Sequence, residues 1–580
     1  MTNREIADVF ADMAIYCAMD DESFRARAHE RASENISKLD STVSEIYKRG
    51  GVKALKDEIE GVGEGLASDI EELLNTGKLK EYNAYKKKFP VDLAGFSRVE
   101  GLGPKSIATL YKELNIRTPA DLEKSAVSGK IRELAGFGEK SEQHILKSLA
   151  FAKQNNSRAL LGEILPFARH LRDRLASLPG VKKVEIAGSL RRMKETVGDI
   201  DLVAVATHSE KLMDYFISMP EVTEVQEHGS TRSIVRLSNG LDCDLRVVPS
   251  QNFGAALLYF TGNKDHNIAL RKLALEKGMT LNEYGLFKDS DSEKKGIPIV
   301  SATEKDMYRA LDLKWIEPEM REMTGEIEAA HEGTLPPLIS YKSLKGDFQV
   351  QSDWTDGSAS VEEMAHAAQR AGLEYIAITD HTQTLTIANG LNEKRLEAQS
   401  RLIDRLNEKL KGITILKGAE VNILKDGSLD ISNEALHKLD IVGVSVHSHF
   451  DLSKAEQTKR VIRAIEHPST NILFHPTGRR INRREPIDID MDEVLKAAKK
   501  NNVAIEINAS IDRLDLKDSH IRRALKHGVI LTIDSDAHSP AHFSYLEYGI
   551  GQARRGWATD ADILNTRSVK EVKKFLRKKR

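Results

Sequence analysis

Gly188-Ser189-Leu190-Arg191-Arg192-Met193-Lys194-Glu195-Thr196-Val197-Gly198-Asp199-Ile200-Asp201 is the stretch on which the reading of this 580-residue chain turns. An apolar strand, Val184-Glu185-Ile186-Ala187, runs into a Gly-Ser turn. A basic segment follows, and Asp-x-Asp then opens a second strand through Val205. Side chains alternate along a strand, so Asp199 and Asp201 point to one face. Two adjacent carboxylates repel each other, and a divalent cation is their natural partner. Gly188 and Ser189 offer backbone amides and a hydroxyl to phosphate oxygens, and Arg192 adds a charged fork. A third carboxylate on a neighbouring strand would complete a two-metal site for in-line phosphoryl displacement. Leu241-Asp242-Cys243-Asp244-Leu245-Arg246 supplies two candidates, Asp242 and Asp244. Asp-x-Asp alone is commonly a surface turn; Gly-Ser ten residues ahead of it makes a site the better reading.

Beyond this stretch, the length predicts three or four domains, since one core stops growing well before 580 residues. Hydrophobic residues at 40% and charged residues at 30% describe a globular chain. The net charge of −2, from 86 basic and 88 acidic groups, argues against a polybasic binder. That balance is a cancellation: residues 101–200 and 551–580 each carry +7, while 1–100 carry −5 and 201–330 carry −7. Cys17 and Cys243 stand 226 positions apart, which argues against a disulfide framework or a cysteine-based zinc site and for a reducing compartment. No apolar run reaches the ~18 residues of a membrane span, and the first residues lack the pattern of a signal peptide. A cytoplasmic protein with no membrane partner is expected.

Residues 1–150 have helical periodicity, with Ile6, Val9, Phe10, Met13, Ala14 and Cys17 on one face. A repeat of the form apolar-x-Gly-apolar-Gly recurs at Gly61 and Gly63, at Gly101 and Gly103, and at Gly136 and Gly138, at spacings of 40 and 35 residues. Such repetition suggests duplicated helix–turn–helix units. Residues 160–176 read as an amphipathic helix, and Ser233–Leu237 as a strand beside those already named. Residues 331–345, with Pro336-Pro337, read as a linker. Beyond it, short apolar strands such as Tyr375–Ile378, Ile413–Leu416, Ile441–Val444, Val503–Ile507 and Val529–Ile533 alternate with helices, the rhythm of a parallel α/β barrel. Polar residues just after such strands form a barrel's active site.

The Gly-Ser and Asp-x-Asp combination resembles the nucleotidyltransferase superfamily of DNA polymerase beta. Asp244-Leu245-Arg246-Val247-Val248-Pro249 is similar to that family's third-aspartate strand, which selects Asp244 over Asp242 as the third catalytic carboxylate. Tyr259-Phe260-Thr261-Gly262 resembles the motif lining the sugar of the incoming nucleotide. The resemblance, over roughly residues 1–320, is to family X DNA polymerases. It implies nucleotide contacts from Gly188, Ser189, Arg192, Gly198, Tyr259, Phe260, Gly262, Lys264, Asn267 and Arg271, with Lys264, Asn267 and Arg271 facing nucleotide or template minor groove. It also implies that the glycine repeats are helix-hairpin-helix units, whose backbone amides meet DNA phosphates without reading sequence. All six repeat glycines, Gly61, Gly63, Gly101, Gly103, Gly136 and Gly138, are then DNA-contact positions. Lys105 and Lys140 would assist, whereas Glu139 and Glu142 suggest that the third unit serves packing. Eukaryotic members carry a Schiff-base lysine after the first hairpin; here the position is Asp69, which cannot form an imine, so lyase chemistry by that route is expected to be absent.

The C-terminal histidines form a second series, Thr379-Asp380-His381, Ala419-Glu420, Val446-His447, Phe474-His475 and Ser535-Asp536-Ala537-His538. Histidine and carboxylate at successive strand ends can hold Mn²⁺ or Zn²⁺. The segment resembles the PHP phosphoesterase domain, which bacterial family X polymerases carry as a 3′–5′ exonuclease. The implied ligands are Gln349, Gln351, Asp356, His381, Glu420, His447, His475, Asp536 and His538. The family pattern begins Asp-x-His-x-His, and this chain has Asp347-Phe348-Gln349-Val350-Gln351. A Gln carbonyl is a weaker ligand than imidazole, so a low or strongly Mn²⁺-dependent exonuclease is expected. Arg479, Arg480, Arg483 and Arg484 read either as phosphate contacts or as a solvated loop, and the tail from Lys573 to Arg580 as a frayed basic helix.

The expected architecture is multidomain α+β and α/β: a helical DNA-binding domain at 1–90, two further hairpin units at 91–150, a palm at 151–250, a nucleotide-binding subdomain at 251–330, the linker, and a PHP distorted α/β barrel at 346–580. The expected function is template-directed gap filling on gapped or primer-template DNA, from deoxynucleoside triphosphates and Mg²⁺, by a monomer. The alternatives are a structural, non-catalytic PHP domain, a small-molecule phosphoesterase, and a gap-binding scaffold.

Overall fold

The computed structural model describes every residue except 2, 38, 40, 41, 98, 100, 155–157, 289–296 and 578–580. The helices from Asn3–Met19 to Glu139–Gln154 enclose one apolar core that runs from Ile6 to Leu149. Ile6, Phe10, Met13 and Cys17 are fully buried in it, as their helical spacing requires. Because the core is continuous across position 90, the two expected helical segments pack as one body.

The two glycines of each repeat turn out not to be equivalent. The first takes a left-handed φ, +79° at Gly61, +83° at Gly101 and +86° at Gly136, open to few residues besides glycine. The second has no such need. Gly63 and Gly103 have φ of −83° and −78°, within reach of any residue, and cap helices Glu64–Thr76 and Pro104–Leu114 without a side-chain hydrogen bond. Gly138 precedes helix Glu139–Gln154 in the same way and is absent from the positive-φ glycines. At Gly63, Gly103 and Gly138 alike a Cβ would meet no atom within 4 Å, so nothing inside the protein demands glycine there. Glu100 of the second repeat lies outside the described residues.

The palm is a five-stranded sheet in the order Val181–Ile186, Asp199–Ala206, Asp242–Val247, Arg232–Leu237, Val222–His228. The edge strand Val222–His228 has no sequence expectation behind it; its polar, largely exposed residues carry little strand signal. Helices Leu161–Ala176 and Ser209–Ile217 share the apolar core of this sheet, while helix Phe253–Thr261 covers Val203 and Val205 on the other face. Lys264–Glu276, the hairpin of Met279–Asn282 and Gly285–Lys288, Glu304–Ala310 and Glu326–Glu332 complete a second subdomain around its own core.

Seven parallel strands follow in strict sequence order, from Gly346–Val350 to Leu531–Asp534, nearly all of their residues buried. A parallel bridge between Val350 and Ala537 brings the first strand against the chain leaving the last, so the barrel nearly closes. Strands buried on both faces are largely apolar, which made most of them readable as short runs.

Two segments depart from expectation. The stretch 331–345 is strapped down and is no free linker: Ile339 is fully buried in the barrel core, its amide donates to Ala558 O at 2.9 Å, and its carbonyl accepts from Arg554 at 2.8 Å. Nor is the tail a frayed helix over its described part. Val572 and Leu576, four residues apart on Val569–Arg577, are buried beside Phe348, Tyr375 and Phe474 and close one end of the barrel; residues 578–580 lie outside the described residues.

The barrel is fastened to the N-terminal half. Gly162 of the palm meets Ile511 so closely that a Cβ there would fall 2.1 Å from it. Arg479 pairs with Glu195 at 2.7 Å, and Arg169 with Glu547 at 2.9 Å. Arg479 is therefore an interdomain tie, and Arg480 pairs with Asp512, where the sequence had suggested phosphate or solvent. Helix Ser23–Ser37 touches the barrel through Arg31–Glu363 and Glu34–His542, both at 3.3 Å.

Two candidate active sites

Parallel pairing sets Asp201 opposite Asp244, and Asp199 opposite Asp242. Alternation then turns all four carboxylates to one face of the palm. Their surroundings separate the two third-carboxylate candidates. Asp242 is tied by Arg236 at 2.6 Å and Gln226 at 2.7 Å. Asp244 receives Arg232 and Arg246 on Oδ2, at 3.1 and 3.3 Å, and its buried Oδ1 has no hydrogen-bond partner. Burial, with Asp199 and Asp244 beside it, pushes the Asp201 carboxyl up to about 7. Crowded carboxylates with an unpartnered oxygen are a donor set suited to a hard divalent cation.

Gly188 opens a short helix, Gly188–Arg191, directly over these acids. Its φ is +60°, and a Cβ there would lie 2.0 Å from Asp201 Oδ2, so only glycine permits the approach. Ser189 Oγ is buried without a hydrogen-bond partner, as a phosphate-binding hydroxyl awaiting its ligand would be. Arg192 is engaged in the protein: Nε donates to Glu322 at 2.9 Å and Nη1 to the Thr261 carbonyl. Gly262, also at positive φ, lies against that guanidinium. Phe260 sits under Arg246 at 4.3 Å, and Asn267 Nδ2 holds the Tyr259 carbonyl at 2.7 Å. Lys264, Asn267 and Arg271 share one face of helix Lys264–Glu276; Lys264 and Arg271 are exposed and Asn267 is half-buried. Gly198 lies beside Arg158, away from that helix.

In the hairpin region Lys105 is 82% exposed and paired with the similarly open Asp21, and Lys140 is exposed too. Lys105 follows Gly103 by two positions and Lys140 follows Gly138 by two, so each cation stands in the first turn of the helix that its glycine opens. Glu142 turns inward, accepting the Ile131 and Arg132 amides and pairing with the Arg132 guanidinium, so that part of the third unit does serve packing. Asp69 lies on helix Glu64–Thr76, its carboxyl raised by burial and by Glu81.

The second site lies at the C-terminal ends of the barrel strands. Glu420 is its centre, fully buried, with His475 at 2.7 Å, His447 at 3.1 Å and His381 at 3.5 Å. Asp356 stands 3.6 Å from His381 and 3.7 Å from His538. Two compact donor groups result. One is Asp356, His381 and His538; the other is His381, Glu420 and His447, so His381 is common to both. Asn422 accepts from His447 Nδ1 at 2.7 Å and orients that ring. Burial and Arg513 lower His475 to about 4, which keeps it neutral. Burial would also lower His538, but Asp356 and Asp536 outweigh it and raise it to about 9. Mixed imidazole and carboxylate donors suit Mn²⁺ or Zn²⁺.

The corner occupied by Gln349, Gln351 and Asp536 differs. Both glutamine amides donate to Glu420 Oε2, at 3.1 and 3.0 Å. Asn508 Nδ2 reaches Gln349 Oε1 at 3.0 Å and Asp536 Oδ2 at 3.2 Å, and Arg513 stands 3.4 Å from the same Asp536 oxygen. Gln349 Oε1 accepts from Asn508, which leaves it one lone pair as a weak, neutral oxygen donor. Gln351 Oε1 has no partner and remains an available, weak oxygen donor. Asn508, Arg513, Arg232 and Glu322 were not singled out from sequence. Arg246, two residues after Asp244 and so on the same face, carried a readable signal through alternation; the others meet their partners only through folding.

Comparison with known proteins matches four separate segments of the chain. The DNA polymerase beta thumb profile matches residues 256–322, and the PHP domain matches 347–510. A helix-hairpin-helix domain matches 1–79 and a SAM-like helix-hairpin-helix tandem 94–150. The chain is 36% identical over 581 residues to the DNA polymerase/3′-5′ exonuclease PolX of Bacillus subtilis (strain 168), covering 100% of both proteins. It is 27% identical over 351 residues to DNA polymerase lambda of Arabidopsis thaliana, 55% of this chain and 62% of that one. A probable phosphatase of Thermoanaerobacter sp. (strain X514) is 34% identical over 236 residues, 38% of this chain and 89% of the phosphatase.

Proposed function

This chain belongs to the PHP-containing family X DNA polymerases, and on that premise we propose that it fills short gaps in DNA, with a PHP barrel of reduced nuclease capacity. It is a DNA-directed DNA polymerase that depends on divalent metal and takes DNA and nucleotides as substrates. Its site residues, the individual ions and the substrate form are assigned as follows.

The observation that carries the reading is the register of Asp201 opposite Asp244, beneath a helix whose Gly188 leaves no room for a Cβ. Asp199, Asp201 and Asp244 would hold Mg²⁺, which when bound activates the primer 3′-hydroxyl and neutralises the triphosphate and leaving pyrophosphate. Gly188 and Ser189 bind triphosphate oxygens, and Arg192 presents its guanidinium to them. Tyr259, Phe260 and Gly262 line the sugar, while Lys264, Asn267 and Arg271 face nucleotide or template. Gly198 helps set the strand entry beside the acids. The hairpins grip the duplex through its backbone: Gly61, Gly101 and Gly136 make the turns, and Gly63, Gly103 and Gly138 keep the helix N-termini bare for phosphate, with Lys105 and Lys140 alongside. The domain limits expected from sequence stand as our division of the chain, with 331–345 a strap. Both cysteines are free and buried, in keeping with a reducing compartment; no helix is long and apolar enough to cross a membrane among the described residues.

In the barrel, Asp356, His381, Glu420, His447, His475 and His538 would hold Mn²⁺ or Zn²⁺, which when bound supplies a nucleophilic hydroxide for phosphodiester hydrolysis. Asp536 and Gln351 offer a weaker corner. A structural, non-catalytic barrel is the alternative, favoured by the glutamine and Asn508 contacts; the phosphatase reading leaves the whole polymerase half unused. Primer extension across a one-nucleotide gap, lost in Asp244→Ala, tests the main reading, and a 3′ digestion lane at Mg²⁺ and at Mn²⁺ separates the two barrel readings. Borohydride trapping on a 5′-deoxyribose phosphate should give no adduct, because Asp69 has no amine.

A further inference from the structure

Glu322 lies where palm, nucleotide-binding subdomain and barrel meet. Its carboxylate receives Arg192 at 2.9 Å, Lys194 at 3.5 Å and Asn263 at 3.3 Å, all from the polymerase half. From the barrel helix Leu546–Arg555 it receives Arg555 at 3.0 Å. The junction is largely buried: the Arg555 side chain is 3% exposed and that of Glu322 14%. Burial would raise the Glu322 carboxyl, but Arg555, Arg192 and Lys194 outweigh it and hold it down to about 2. Arg555 also donates to the Arg192 carbonyl at 2.9 Å and is braced from behind by Asp518. Beside it Met193 packs onto Gly551, where a Cβ would come within 2.6 Å of the Met193 methyl.

A guanidinium is a rigid plane, so two anchored nitrogens define its orientation. Arg192 has Nε on Glu322 and Nη1 on the Thr261 carbonyl, which leaves Nη2 as the nitrogen with no partner among the described residues. We propose that Arg555, supplied by the barrel, is a positioning residue of the polymerase site: by holding Glu322 and the Arg192 backbone it sets the plane of the Arg192 guanidinium that meets the incoming triphosphate. The inference rests on the reading of Arg192 as a triphosphate contact. It gives the barrel a task in nucleotide binding that its glutamine-altered metal corner does not affect.

The experiment is steady-state insertion of one nucleotide into gapped DNA by the full chain, comparing wild type, R192A, R555A, R555K and E322Q, with thermal melting of each. R192A and R555A should both raise KM for the nucleotide about ten-fold, with kcat changed no more than about three-fold. R555K keeps the charge but loses one arm of the fork, and should recover part of that KM; E322Q should resemble R555A. Native KM in R555A, with R192A still raised, overturns the positioning role and leaves Arg192 as a triphosphate contact. Native KM in R192A overturns both. Should R555A fail to fold, native KM in R555K and E322Q together is the overturning result. A lowered melting temperature at native KM marks a purely structural contact and likewise refutes the proposal.

Discussion

The palm site and the barrel site both gather acidic side chains, but they are built in opposite ways. In the palm, three carboxylates come from two adjacent strands, so strand alternation and register alone bring them together. In the barrel, donors from Asp356 to His538 come from loops and strand ends spread over more than 180 residues, and a single buried carboxylate, Glu420, gathers three histidines. The palm leaves Asp244 Oδ1 and Ser189 Oγ unpartnered. The barrel has filled one corner with amide donors from Gln349, Gln351 and Asn508. A site made by local alternation stands or falls with a few residues, whereas a site gathered by topology can lose one corner and keep the rest.

Asp244→Ala breaks the comparison most sharply. It should lower single-nucleotide insertion by on the order of a thousand-fold while gapped-DNA affinity stays within about three-fold; retained insertion would rule out the three-carboxylate site. In the barrel the residue common to both donor groups is the sensitive one. His381→Ala should abolish retention of Mn²⁺ after dialysis, measured by elemental analysis against Asp244→Ala as the palm reference. Equal Mn²⁺ retention in the two variants would refute a cluster centred on His381.

Gln351→His sharpens the contrast in the other direction. Replacing a weak oxygen donor by imidazole should raise 3′ digestion at limiting Mn²⁺ about ten-fold, and an unchanged rate would mean that the corner is closed to metal regardless of residue 351. A smaller effect concerns the junction of palm and nucleotide-binding subdomain. Burial would raise the Glu304 carboxyl, but Arg321 and Arg191 hold it down to about 2. A glutamate whose folded value is depressed stabilises fully above its unfolded value near 4.3, and that contribution, about 3 kcal/mol, disappears as pH falls toward 2. The melting difference between wild type and Glu304→Gln should therefore shrink steadily below about pH 4.5. Lys105→Ala should have the mildest consequence, a uniform loss of gap affinity with the salt slope reduced by about one; sequence-dependent losses would count against backbone gripping.

Much of this architecture is legible before folding. The Gly-Ser turn and Asp-x-Asp work because strand period two puts Asp199 and Asp201 on one face with no tertiary information. The barrel strands are readable because burial on both faces demands continuous apolar runs, as in Tyr375–Ile378 and Ile441–Ser445. The glycine repeats are readable as turns, but their pattern does not tell the strained first glycine from the unstrained Gly63, Gly103 and Gly138, because backbone angles are set by the helices on either side. Strand Val222–His228 is not readable, because an exposed edge strand has no apolar constraint to betray it. The strap around Ile339 and the capping helix with Val572 and Leu576 escape notice for a related reason: one or two buried residues hold each, below the level at which periodicity speaks.

The expected class of each site and the residue types it offers are thus legible in the order of residues alone, since they follow from alternation, turn chemistry and residue type. Folding settled the rest. It ties Asp242 to Arg236 and Gln226 while leaving Asp244 Oδ1 without a partner, sets Gln349 against Asn508, and brings Arg555 to Glu322 across 233 positions of chain. The physical reason is range: alternation and propensity act between neighbours, while the partner of a buried charge or amide is chosen by whichever distant group folding brings within hydrogen-bond reach.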